Sequence, residues 1–450
     1  MVLLFDSTGK KDSSAPFHGG VICTLFLRQY SCSHYTNHTA ISPDVSGELS
    51  RFRWWVAGML AAATALNYLD RQTLPVVIGE IQKDIPLDNE QFGRLQSLFL
   101  LAYGIMYAVG GRIMDWLGTR TGYALMIIFW SAANFCQGLV SSVIGLGVFR
   151  FLLGVGEGGG FPGSAKAVSE WFPARERSFA FGIFNTGSSV GAVIAPPLIA
   201  LIVLYFNWRW VFFITGAIGI VWAFVWLKYY KTPGTSDAAP VARVRWVDLL
   251  RYRQMWGLIA AKFLSDSAWF FFIFWLPKYL NDERALNIKQ IGYYAWIPYA
   301  FAGAGSFVGG WLSGALLGRQ LTLDKARKIT LGMSAALMPV ALLIVPSPLS
   351  LAIVFFSTAM LAHQFWSTIM QTLAADLFPP EMVGSVAGLM GAAGSLGATL
   401  FSFLAGSIIA RYGYAPVFLV AGIVHPISFI IILLVVGRIE RLVSATAATT

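Results

Sequence analysis

Apolar runs of about twenty residues recur along nearly the whole chain, with short polar breaks between them. A run of that length crosses the roughly 30 Å hydrocarbon core of a bilayer as a helix, which satisfies its own backbone where no water can. The pattern predicts twelve spans, near 53–80, 92–115, 121–141, 143–171, 178–204, 208–230, 256–280, 291–317, 327–346, 349–375, 383–410 and 413–437. Charged residues are 12% of the 450, about half of what a soluble domain carries. The expected fold class is therefore an all-α membrane protein.

The net charge is +10, but its placement argues against nucleic acid as a partner. Lys and Arg gather in alternate connections: Arg51 and Arg53, Arg120, Arg175 and Arg177, the stretch Lys231–Arg253, Arg319–Lys328, and Arg438 and Arg441. Basic loops stay cytoplasmic, so both termini are expected inside. Three cysteines, Cys23, Cys32 and Cys136, are too scattered for a disulfide framework or a zinc site. Residues 1–50 are polar and read as a disordered tail, or as a stretch upstream of a true start near Val45.

The chain repeats itself. Glu170-Trp171-Phe172-Pro173 returns as Asp376-Leu377-Phe378-Pro379, and at the same offset Gly191-Ala192 meets Gly397-Ala398. A second trace pairs Gly110-Gly111…Arg120 with Gly309-Gly310…Arg319. Two parallel six-helix bundles follow, 51–230 and 256–437, joined by a cytoplasmic linker at 231–255 and followed by a cytoplasmic tail at 438–450. Such repeats place a substrate site at their interface near the midplane.

Chemistry enters where charges interrupt the apolar runs. Asn67-Tyr68-Leu69-Asp70-Arg71 puts a carboxylate and a guanidinium in the middle of the first span, each costing about 2.5 kcal/mol or more on insertion scales. In the fourth span Arg150 and Glu157 are seven residues apart, hence on one helix face and roughly 10 Å apart along the axis. Neighbours in sequence such as Asp70 and Arg71 do not face each other on a helix, so each needs its own partner. The second bundle offers fewer charges: Lys262, Asp266 and His363, the last at the repeat position of Glu157.

Arginine presents a planar fork suited to a carboxylate. Burial favours a neutral carboxyl group and a nearby guanidinium favours an ionised one. An anion arriving at the arginine therefore couples to a proton arriving at the acid. The competing reading is two internal ion pairs that only hold helices together. Gly154, Gly156 and Gly159 match a dinucleotide pattern, but no strand precedes them. They read as close helix contacts, and no cofactor, metal or covalent step is expected.

Gly111, Asp115, Gly118 and Arg120 close the second span, as topology charges or as a gate. Tyr103 and Tyr107 share one face. Asn185, Ser188, His363 and Gln364 either line a cavity or bond helix to helix. The rings of the aromatic run Trp269–Trp275 either stack on the C–H face of a sugar or, as is favoured for most of them, make lipid contact in an aromatic belt.

Together these residues resemble the major facilitator superfamily over about residues 51–440. Asn67–Arg71, Arg150…Glu157 and Glu170-Trp171-Phe172-Pro173-Ala174-Arg175-Glu176-Arg177-Ser178 look like its anion:cation symporter family. Phe184–Ala192 and Ala261–Asp266 are most similar to bacterial hexuronate transporters. The resemblance implies proton-coupled uptake of a sugar acid, with Asp70 and Glu157 carrying protons. It sets Arg71, Tyr103 and Ser188 around the substrate and has Arg150 assist Glu157. The chain departs from the family pattern at Gly391 and Ser395, where relatives often have Asn, at Ser188, where some carry Gln, and at Gly314, opposite Asp115 in the repeat.

Overall fold

The structure, a computed structural model, describes residues 43–172, 174–232 and 246–442. Contacts gather the described residues from Ser50 onward into one compact unit. Residues 43–50, expected at the end of a disordered tail, are the first turns of a helix. The remainder of that tail, the proposed start excepted, and most of the 231–255 linker lie outside the described residues.

The described residues are helical with no strand among them. In the first part of the chain run α1 (Pro43–Asp84), α2 (Asn89–Leu117), α3 (Thr119–Gln137), α4 (Val143–Gly158), α5 (Gly160–Trp171), α6 (Ala174–Tyr205) and α7 (Trp208–Tyr229). After the short α8 (Trp246–Leu249) come α9 (Arg253–Asp282), α10 (Ile288–Tyr294), α11 (Trp296–Gly318), α12 (Leu323–Leu337), α13 (Leu349–Leu377), α14 (Pro380–Tyr412) and α15 (Ala415–Ile431).

Among the described residues, ten segments are long and apolar enough to cross a membrane. The expected first and third spans, α1 and α3, are helices but are not among the ten. Their mean hydropathy is lowered by Asn67, Asp70 and Arg71 on one and by Asn134 and Gln137 on the other, residues that turn inward (see below).

Proline sets several details. The fourth span is split into α4 and α5 at Gly159, because Pro162 has no N–H to return to the Gly158 carbonyl. Pro298 likewise separates α10 from α11. Within long helices, each of three prolines frees the carbonyl four residues back, and a side chain from another helix takes it. Pro75 frees Arg71, whose carbonyl accepts from Arg150 Nη2 at 2.9 Å. Pro196 frees Ala192, which accepts from Gln72 Nε2 at 3.3 Å. Pro277 frees Ile273, which accepts from the Tyr299 hydroxyl at 2.9 Å.

Close packing relies on glycine. A methyl group at Gly191 would lie 2.3 Å from the Ala65 carbonyl oxygen, and one at its repeat partner Gly397 would lie 2.0 Å from that of Phe263. α6 thus packs on α1 as α14 packs on α9. Contacts between α2 and α14 run from Gly93, against Ser402, through Ser97, whose hydroxyl donates to the Thr399 carbonyl at 3.0 Å. They continue through Gly104, against Ser395, to Tyr107, whose ring lies on Gly391. Beyond that level, toward the α2–α3 turn, Gly111, Gly384 and Gly388 have no neighbour within 4 Å of where a methyl would stand.

Candidate functional site

Two buried charge centres lie on different faces of α1. On one face, Arg71 Nε and Nη2 both donate to Glu157 Oε2, at 3.1 and 3.0 Å, and Nη2 also donates to Asn67 Oδ1 at 3.0 Å. The two charged side chains are 2% and 0% exposed. Aromatic rings enclose the guanidinium: Tyr68 and Tyr103 at 4.8 Å, Phe99 at 5.4 Å and Phe270 at 5.9 Å from its carbon. Tyr68 and Tyr103 are only partly buried, so the layer next to the arginine keeps some access. The break at Gly159 leaves Glu157 in the last turn of α4, and its Oε1 has no protein partner.

On the other face, Asp70 Oδ1 accepts from Asn134 Nδ2 at 2.8 Å, and Asn134 Nδ2 also donates to Thr215 Oγ1 at 2.7 Å. Asn134 Oδ1 accepts from Thr73 and Gln137, both at 3.3 Å. Asp70 is fully buried, and its Oδ2 has no protein partner. Each acid therefore presents one buried carboxyl oxygen without a protein partner.

Arg150 does not pair with Glu157 directly. Its Nη2 donates to the Arg71 carbonyl and to Gln96 Oε1, each at 2.9 Å. Its guanidinium carbon is 4.8 Å from the Phe99 ring and 5.7 Å from Phe274. Arg150 thus ties α4 and α2 to the proline-opened turn of α1, and the charge cluster holds one ion pair.

Asp70, Arg71, Tyr103, Arg150 and Glu157 are brought together. Asn185 is exposed on α6, and the Ser188 hydroxyl donates to the Asn185 carbonyl at 2.6 Å. His363 is 1% exposed; its ring lies flat on Trp269 at 4.8 Å, and its Nδ1 is 3.0 Å from His425 Nε2. Gln364 follows it on α13, half-buried.

At the α2–α3 turn Gly118 has φ 75°, a value that favours glycine. Asp115 pairs with Lys166 at 2.9 Å, and Arg120 Nε donates to the Leu227 carbonyl at 3.2 Å. These two charges bind neighbouring helices and not each other.

One expectation is overturned. The rings of Trp269, Phe270, Phe271, Phe272, Phe274 and Trp275 do not face lipid, since none is more than 8% exposed. Phe270 and Phe274 instead cap Arg71 and Arg150 from α9. The neutral partners Asn67, Asn134, Thr215 and Gln96 were not foreseen. Pro75, four residues after Arg71, was the available signal for an outside donor to that carbonyl. Two surface clefts of about 530 and 640 Å3, near α2 and α4 and near α6 and α10, are lined by none of these charged groups.

The profile of the Major Facilitator Superfamily matches residues 60–398 and 321–449. The hexuronate transporter of Escherichia coli (strain K12) is 30% identical over 407 residues, 86% of this chain and 94% of that protein. The galacturonate transporter of Dickeya chrysanthemi is 35% identical over 286 residues, 59% of this chain and 82% of that protein. Among solved structures, a bacterial homolog of the human lysosomal transporter Spinster, inward-facing and occupied, superposes with a TM-score of 0.67 at 21% identity, covering 85% of this chain and 95% of that one.

Proposed function

Since the chain belongs to the Major Facilitator Superfamily, a family of transporters and not of enzymes, we propose that it imports a sugar acid together with protons by alternating access. The substrate in this reading is a hexuronate such as glucuronate or galacturonate, the substrate class named for its relatives. The carrier comprises two six-helix bundles, twelve spans in all, in a bacterial inner membrane with both termini cytoplasmic.

The observation that carries this reading is the Arg71–Glu157 pair, in which both contacts of the fork fall on a single carboxylate oxygen. A protonated Glu157 holds Arg71 weakly, and a substrate carboxylate then takes the fork. Asp70 takes a second proton at its unpaired oxygen. Tyr103 and Tyr68 border the docked acid, and Asn185, Ser188, His363 and Gln364 are its further candidate contacts. Gly111, Asp115, Gly118 and Arg120 act at the inner gate. The filled carrier reorients and releases acid and protons inside.

A guanidinium reads any carboxylate, which supports a second reading: an aldonate, glucarate, another dicarboxylate or an aromatic acid on the same machinery. A membrane sensor that binds without transporting is the third.

Purified protein in liposomes tests these readings. Labelled glucuronate accumulates when the outside is acidified and exchanges in counterflow without a gradient. Uptake indifferent to the proton gradient contradicts proton coupling. Exchange of other acids but no uronate selects the second reading, and binding without exchange selects the third.

A further inference from the structure

α9 carries a second ion pair deep in its span, and the charge cluster described above does not use it. Lys262 Nζ lies 2.9 Å from Asp266 Oδ1. Where the Arg71–Glu157 pair is closed off, these side chains remain 12% and 11% exposed. They belong to one stripe of α9. Lys262, Asp266, Phe270 and Phe274 follow at intervals of four residues and share a face. The stripe has a known direction, because Phe270 lies 5.9 Å from the Arg71 guanidinium and Phe274 5.7 Å from that of Arg150. Helix rise sets Asp266 about 6 Å and Lys262 about 12 Å from Phe270 along the axis. Behind Asp266 α14 has no side chain in the way: a methyl at Gly394 would fall 2.2 Å from Asp266 Oδ2.

We infer that Lys262 and Asp266 form the far end of the substrate site, reading the hydroxyl end of an acid whose carboxylate is docked on Arg71. This rests on the sugar-acid reading above. The Asp266 carboxylate accepts from two hydroxyls, and the Lys262 ammonium donates to a third oxygen and offsets the charge. A carboxylate cannot accept from another carboxylate. A diacid, ionised at both ends, therefore meets repulsion at Asp266, and the pair selects monoacids over diacids of the same carbon chain by penalising the wrong ligand.

Counterflow of labelled glucuronate in liposomes, competed by unlabelled glucuronate or glucarate, tests this. The wild-type protein is expected to be inhibited better by glucuronate. Asp266→Asn removes the repulsion and should shift the ratio of the two inhibition constants toward glucarate by about tenfold. Lys262→Gln leaves the carboxylate without its counter-charge and should shift the ratio the other way. The ratio is measured within one protein sample, so it is insensitive to expression level, and either variant suffices if the other does not fold. Exchange that persists in a variant with the ratio unchanged within about twofold overturns the selectivity role and leaves the transport reading standing. No exchange of either acid by the wild-type protein overturns both.

Discussion

In the proposed cycle Glu157 and a substrate carboxylate compete for one guanidinium, so the residues that decide transport are those setting how firmly that guanidinium is held. Arg71 is gripped through two nitrogens by a single oxygen, and lysine cannot reproduce the fork. Arg71→Lys in well-expressed protein should reduce uronate uptake at least tenfold, about 1.4 kcal/mol in barrier or binding; wild-type uptake contradicts docking at this position. Glu157→Gln keeps the shape of the acid but fixes it in a neutral form that can neither bind nor release a proton. Gradient-driven accumulation should be lost while counterflow continues, and equal loss of both points to a structural role. The four charged residues were legible in the sequence because a charge in an apolar run is costly and stands out. Their neutral partners were not. Asn134 bonds Asp70 from another helix, and an amide at a helix seam has no local pattern that separates it from any other polar residue. Arg150 was legible as a buried charge but not as the donor to the Arg71 carbonyl, which depends on how α4 lies across the turn opened by Pro75.

At the scale of the helix, glycine decides how closely two backbones approach and proline decides where one opens. α6 lies on α1 with a methyl at Gly187 only 2.0 Å from the Ala61 carbonyl oxygen. A valine there has nowhere to go but to push the helices apart, at a cost of about 1–3 kcal/mol. Gly187→Val should lower the thermal midpoint of the detergent-solubilised protein by several degrees, whereas Gly182→Ala, facing nothing within 4 Å, should leave it within about a degree. Equal midpoints for the two variants contradict the packing account. The internal repeat anticipated part of this, since Gly191 and Gly397 make the same kind of contact in the two parts of the chain. The aromatic run of α9 was misread because hydropathy and ring count are the same for a belt in lipid and a plug in protein. The face that Phe270 and Phe274 present becomes known only when α9 is seated against Arg71 and Arg150.

For residues 50–450 as a whole, the informative feature is how contacts between α2 and α14 are distributed along their length. They run from Gly93 and Ser402 to Tyr107 and Gly391, then end, with Gly111, Gly384 and Gly388 standing free toward the α2–α3 turn. In the proposed orientation, with that turn cytoplasmic, the arrangement is closed outside and parted inside, and the proposed import requires the closed contacts to open. A clamp across them should stop the cycle. A methyl at Gly104 would sit 2.8 Å from Ser395 Cβ, within small backbone adjustment of the roughly 3.8 Å preferred by a disulfide. In a background with Cys23, Cys32 and Cys136 replaced by serine, Gly104→Cys with Ser395→Cys should cross-link under mild oxidation and lose uptake, and reduction should restore it. The pair Gly111→Cys with Gly388→Cys should resist a direct disulfide in protein held in this state. Continued uptake by fully cross-linked Gly104/Ser395 protein would show that α2 and α14 need not separate there, and the alternating-access reading of this chain would have to be abandoned.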